Sequence, residues 1–218
     1  MPEKTPFRWS RGDAVITQLI LVIGLVLVGL ATAYALVWIT PLPPADGGPV
    51  GTITVPVPDG VADPAPPVAA ASADYTVEST GSMAVVLHDP TTVQRLLLVL
   101  PSLLGLAATI TVMVNLLRIV RSLDAGDPFT PANARRIQVI GIAVQAGAVL
   151  SLVAATFRDG VLTGAALGTG GLELSLTLGG GGGAGSAVVL VFVGMLLLGL
   201  AEVFRRGTRM RDDVRGLV

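Results

Sequence analysis

The sequence predicts a mainly α membrane protein: four transmembrane helices with a small extracytoplasmic β cap made by the two outer loops. Three observations carry that expectation. Only 13% of the 218 residues are charged while 52% are hydrophobic, against about 25% charged in a water-soluble domain, so a bilayer is the solvent for much of the chain. Four apolar runs reach the roughly 20 residues that cross a hydrocarbon core of about 30 Å at 1.5 Å per residue. Twelve of the fourteen basic residues fall into three clusters between or beside those runs, the kind of partition by which positive charge fixes orientation.

A tail of residues 1–13, with Lys4, Arg8 and Arg11, precedes the first span, residues 14–40, which carries no charge. Ala31-Thr32-Ala33 resembles a cleavage site, yet a cleavable apolar region is about 7 to 15 residues long. This one is far longer, so an uncut anchor is expected. The second span is 96–117, the third 137–157 and the fourth 185–204, whose only charge is Glu202. None shows the polar face every 3.6 residues that a soluble core helix needs. Arg118, Arg121, Arg135 and Arg136 lie in the connection 118–136, and Arg205, Arg206, Arg209, Arg211 and Arg215 lie in the tail 205–218. Arg95 and Arg158 are left for the other side. Positive residues stay inside, which places both termini in the cytoplasm of a multi-pass protein of the cell membrane.

The outer loops, 41–95 and 158–184, are unequal. Between 41 and 91 there is no Lys or Arg against six acids, Asp46, Asp59, Asp63, Asp74, Glu78 and Asp89. Prolines alternate there with β-prone pieces at 51–57, 75–79 and 83–88, and residues 61–73, rich in Ala and Pro, are expected to be a mobile excursion. In the second loop Leu172, Leu174, Leu176 and Leu178 alternate with polar residues. Such an apolar face needs a partner, and the strands of the first loop are the simplest one.

Several chemistries have little to work with. The chain has no cysteine and a single histidine, His88, so thiolate metal sites, Cys nucleophiles and Ser-His-Asp hydrolysis are disfavoured. The formal net charge of −1 argues against direct nucleic-acid binding through overall basicity. Glycines 179–183 with Gly185 contain a GxGxxG pattern, but a membrane span follows where a soluble helix would be required. Arg11-Gly12-Asp13 spells an adhesion tripeptide at the cytoplasmic end of a span and is given no weight. No cofactor and no metal are expected.

Within the spans, Ala143, Gly147, Ser151 and Ala155 recur every fourth residue. Small residues so spaced let helices approach closely where no hydrophobic force acts between them, and a packing seam is favoured over a mere excess of alanine. Gln18, Asn115 and Gln145 are intramembrane amides that suit interhelical hydrogen bonds.

The connection from Gly126 to Arg136 reads GDPFTPANARR. Thr130 suits an N-cap and Pro131 the first helical position, where its missing N–H costs nothing. A rigid elbow follows, either a docking surface around Phe129 or a loop fixed only for helix geometry. The chain ends from Leu200 as LAEVFRRGTRMRDDVRGLV. Together the two motifs resemble the bacterial membrane family filed as domain of unknown function 2975; they cover about thirty residues, and the four-span layout covers the chain. The sequence departs from the family's pattern at Asn133 and in its long Pro/Ala-rich outer loop. The resemblance implies a small four-helix membrane protein, often encoded beside a small helix-turn-helix regulator, with no established activity.

Two groups of residues are singled out. Spans two and four run in the same direction, so Asn115, Arg118, Arg135, Arg136 and Glu202 arrive at one depth and are expected to form an interfacial polar cluster in which an arginine from another helix partners Glu202. In the tail, Arg205 and Arg206 are attracted to anionic lipid while Asp212 and Asp213 are repelled by it. Lipid anchoring alone explains the arginines; a short arm beside Phe129 that docks a protein explains the acids as well. The resulting expectation is a non-enzymatic membrane sensor or anchor for a cytoplasmic regulator. The alternative, a small transporter or channel subunit, is weakened because no Asp, Glu, Lys or Arg lies mid-span and Pro101 is an isolated helix breaker. An intramembrane enzyme ranks last.

Overall fold

The computed structural model describes residues 11–40, 52–56, 82–87, 90–124, 130–167 and 184–215. They form α1 (Arg11–Ile39), β1 (Thr52–Pro56), β2 (Ser82–Val86), α2 (Thr92–Asp124), α3 (Pro131–Leu167) and α4 (Ala184–Arg215). All four helices are long and apolar enough to span a membrane, over Gly12–Ile39, Thr92–Asp124, Pro131–Ala165 and Gly185–Thr208. The expected features at 61–73, 75–79 and 172–178, His88, Phe129 and the glycines 179–183 lie outside the described residues.

The helices run longer than the apolar runs that announce them. At 1.5 Å per residue α2, α3 and α4 measure about 50 Å, against roughly 30 Å of hydrocarbon, so each carries a helical end beyond the bilayer core. α2 begins four residues before its apolar run, on a reciprocal cap: Thr91 donates its N–H to Gln94 Oε1 (2.8 Å) while Thr91 Oγ1 accepts from the Gln94 N–H (3.3 Å). α3 starts where expected, with Thr130 Oγ1 accepting from the Asn133 N–H at 3.2 Å and Pro131 as the first helical residue. It does not stop at Phe157. The sequence Arg158-Asp159-Gly160 reads as a turn, yet the helix continues to Leu167 because Gly160, Leu162, Thr163 and Gly164 are buried there; tertiary packing overrides local propensity.

That packing sits at one end of the molecule. β1 and β2 form an antiparallel pair, Thr52 opposite Val86 and Pro56 opposite Ser82. Ile53 joins Trp38 of α1, Leu98 and Val99 of α2 and Leu162 of α3 in one buried cluster. Among the described residues this pair is the only sheet and no strand comes from the second loop, so the cap expected from both loops is not seen. Arg95 fastens the same end: its Nη1 donates to the Thr40 carbonyl (3.2 Å), its Nε to the Pro90 carbonyl (3.0 Å), and its guanidinium lies 5.5 Å from the Trp38 ring centroid. Arg158 pairs with Asp159 at 2.8 Å. Both arginines that stand apart from the three basic clusters are thus held by internal partners.

The helices pack in chain order, α1 on α2, α2 on α3, α3 on α4. α1 touches little else and leaves Leu19, Ile20, Leu27 and Leu30 exposed, as a helix facing lipid would. Five threonine hydroxyls inside the helices are satisfied by their own turns: Thr17, Thr32, Thr109, Thr111 and Thr156 each donate to the carbonyl four residues earlier. The four-residue stripe on α3 is a seam against α2. A Cβ on Gly147 would collide with the Ala108 Cβ, and one on Gly105 would come within 3.7 Å of Ser151 Oγ. A second close approach joins α3 to α4, where a Cβ on Gly194 would stand 2.9 Å from the Gly141 carbonyl oxygen. Next to it Gln145 Nε2 donates to the Val191 carbonyl at 3.3 Å, an interhelical bond of the kind expected of that amide. Asn115 behaves otherwise, donating to the Thr111 carbonyl of its own helix at 2.8 Å.

Candidate functional site at the basic end of the helices

Opposite the strand pair, the C-terminal end of α2, the N-terminal end of α3 and the C-terminal part of α4 bring arginines to one end, among them Arg118, Arg121, Arg135, Arg136, Arg205 and Arg206. The polar residues expected to form one cluster there are divided between two helix interfaces.

At the α2–α3 interface the organiser is Asn133, only 2% exposed. Its Nδ2 donates to Ser122 Oγ at 2.9 Å, and its Oδ1 accepts from Arg136 Nη1 at 2.8 Å. Arg136 Nη1 also reaches the Arg118 carbonyl at 3.1 Å. One buried amide thus bridges the last turns of α2 to the first turn of α3. Hydrogen bonds to a charged group are worth roughly 1.5–3 kcal/mol, more than neutral ones, so this is a firm joint at the elbow. Sequence reasoning noticed Asn133 only as a departure from a family pattern; the available signal was an amide at the third position of a capped helix, eleven residues after Ser122 across a short connection.

At the α3–α4 interface Glu202 meets neither Arg118 nor Arg136. Its partners are Arg205 and Arg206, with Arg205 Nε 2.7 Å from Oε2 and Arg206 Nε 2.9 Å from Oε1. Residues three and four apart on a helix are already neighbours, and an acid N-terminal to its base is the favoured order. A partner on another helix would have had to displace them. Between α3 and α4 lies an open cleft of about 630 Å³, lined on α3 by Arg135 and Gln138 and on α4 by Leu198, Glu202, Arg205 and Thr208 among others. Arg135 and Glu202 therefore share a cleft, while Arg136 meets the Arg118 carbonyl at the other interface and Asn115 bonds within its own helix.

Asp212 and Asp213 are carried on the continuation of α4, which stays helical to Arg215. The stretch from Glu202 to these acids is thus helical, and residues 216–218, the end of the expected docking arm, lie outside the described residues. A third feature is a groove of about 770 Å³ between α2, α3 and α4, lined by small residues such as Gly105, Ala108, Gly147 and Ala187. The buried Ser151 Oγ beside it has no hydrogen-bond partner. No group of three or more His, Cys, Asp or Glu able to hold a metal occurs among the described residues.

Four long apolar helices in antiparallel succession, with basic ends and short helix-to-helix packing seams, define a multi-pass membrane protein. The chain belongs to the family described as protein of unknown function (DUF2975), whose model matches residues 67–215 and so includes α2, α3, α4 and the elbow between α2 and α3. No curated protein and no solved structure matches it.

Proposed function

We propose that the protein is a non-enzymatic membrane anchor or sensor that presents its basic helix ends to a cytoplasmic regulator. One observation supports this reading above the others. α2, α3 and α4 all continue past the length needed to cross the hydrocarbon, and α2 is bridged to α3 at that end through Asn133. Such an end is a preformed surface, costing a partner little ordering entropy. The twelve-to-two partition of basic residues supports a cytoplasmic position for this end and for both termini. The strand pair would then face outward, at the end of the helices opposite the basic one.

The resemblance carried by the elbow and tail motifs implies a small helix-turn-helix protein as the partner, so binding to DNA would be the partner's task. Asp212, Asp213 and the elbow residue Phe129 are the assigned docking residues, with Arg205 and Arg206 at the base of the arm. Deleting residues 212–218 should leave membrane insertion intact and abolish co-purification of the cytoplasmic partner from native membranes in mild detergent. Equal recovery with full-length and truncated chains would contradict the anchor reading. The groove between α2, α3 and α4, with the unpartnered Ser151 hydroxyl, is the observation that favours the second reading, a small transporter or channel subunit.

A further inference from the structure

The cleft between α3 and α4 has a composition that neither reading uses. Its α3 wall is Pro131, Ala134, Arg135 and Gln138, and its α4 wall rises from Leu198 through Ala201 and Glu202 to Arg205 and Thr208. Each wall is one helical stripe, with spacings of three and four residues. Polarity is graded along it. Leu198 and the buried Ala201 lie deeper in the fourth span, and the charged residues lie towards its end at Thr208.

Two guanidiniums, Arg135 and Arg205, line this opening against one carboxylate. Glu202 is engaged by Arg205 and also by Arg206, which lies outside the lining, so the opening together with Arg206 carries two positive charges in excess. Arg205 uses Nε and Nη2 on Oε2, so Nη1 is left for another acceptor. Arg135 is exposed and has no hydrogen-bond or ion-pair partner among the described residues. It also stands in the second turn of a 37-residue helix, whose positive dipole end favours an anion nearby. Two planar guanidiniums on opposite walls above an apolar floor suit a multidentate anionic acceptor such as phosphate.

We propose that this cleft binds the phosphate of an anionic phospholipid, with Arg135 and Arg205 as its donors and the start of an acyl chain against Leu198 and Ala201. A soluble phosphate would use the rim alone; a lipid uses the rim and the floor. The site shares Arg205 with the base of the docking arm but not Arg135, so Arg135→Gln scores lipid binding and deletion of residues 212–218 scores partner binding independently.

The test uses the full chain purified in mild detergent and offered an equimolar mixture of phosphatidylglycerol and phosphatidylcholine, with bound lipid counted by native mass spectrometry. The wild-type chain should retain phosphatidylglycerol preferentially. Arg135→Gln should lower that retention about fivefold, the factor equivalent to one arginine–anionic lipid attraction of about 1 kcal/mol. Arg121→Gln, an exposed arginine of α2 outside the cleft, removes the same charge and should change little. Excess inorganic phosphate should not displace the lipid. Equal losses in Arg121→Gln and Arg135→Gln would reveal only diffuse attraction and overturn the site. Displacement by inorganic phosphate, or the absence of a preference for phosphatidylglycerol, would overturn the lipid assignment. Because Arg135 is unpartnered, its variant should keep the wild-type melting profile in detergent; a lowered profile would show that the residue is structural and would count against the proposal.

Discussion

Gly147→Leu is expected to separate α2 from α3 and to produce a large loss of stability. Even one methyl group at Gly147 would collide with the Ala108 Cβ, and Ala108 is itself short and cannot swing aside. Forcing extra carbons into a filled interface costs about 1–3 kcal/mol and sometimes more. A leucine at that point also replaces glycine's poor helix propensity, a gain of up to about 1 kcal/mol, so the steric term wins. Gly199 is the matched control, because a Cβ there meets nothing within 4 Å. Thermal unfolding in detergent should show Gly147→Leu clearly destabilised and Gly199→Leu unchanged or slightly stabilised. Equal behaviour would mean that the stripe of small residues reflects composition and not packing.

Asn133→Leu should be the most damaging change at the basic end. It removes the acceptor of Arg136 and the donor to Ser122 from a position that is 2% exposed. A cost of roughly 1–3 kcal/mol is expected, because Arg136 loses a buried acceptor while keeping the Arg118 carbonyl and Ser122 loses the Asn133 donor. Asn133→Asp separates this explanation from simple packing. The carboxylate still accepts from Arg136, the Ser122 hydroxyl can turn to donate to it, and a negative charge in the first turn of α3 is favourable. Near-wild-type melting for Asn133→Asp beside a large loss for Asn133→Leu is the pattern to look for. Equal losses would show that shape alone matters there.

The spans were legible because lipid imposes one rule, an uninterrupted apolar helix of sufficient length. Their ends were not. Hydropathy reports the hydrocarbon region, whereas α3 continues through Arg158-Asp159-Gly160 on the strength of contacts made by Leu162 with residues from three other elements, which no local window contains. The seam on α3 could be read from spacing, but its partner could not, since four-residue periodicity says which face is small and not which helix meets it. Glu202 shows the opposite failure. Its partners at 205 and 206 stand in the sequence in the favoured acid-then-base order, which satisfies the carboxylate without an arginine from another helix. Asn133 was hidden because a buried amide acquires its meaning only when Ser122 and Arg136 are placed beside it.

The central claim is that the end bearing Arg118, Arg121, Arg135, Arg136, Arg205 and Arg206 faces the cytoplasm, where a regulator could be held. Since the chain has no cysteine, single substitutions report sidedness without background. In intact cells Ala70→Cys should react with a membrane-impermeant maleimide, and Ala125→Cys should react only after the membrane is opened. Labelling of Ala125→Cys in intact cells, with Ala70→Cys protected, would invert the topology and contradict the reading of this protein as a cytoplasmic anchor.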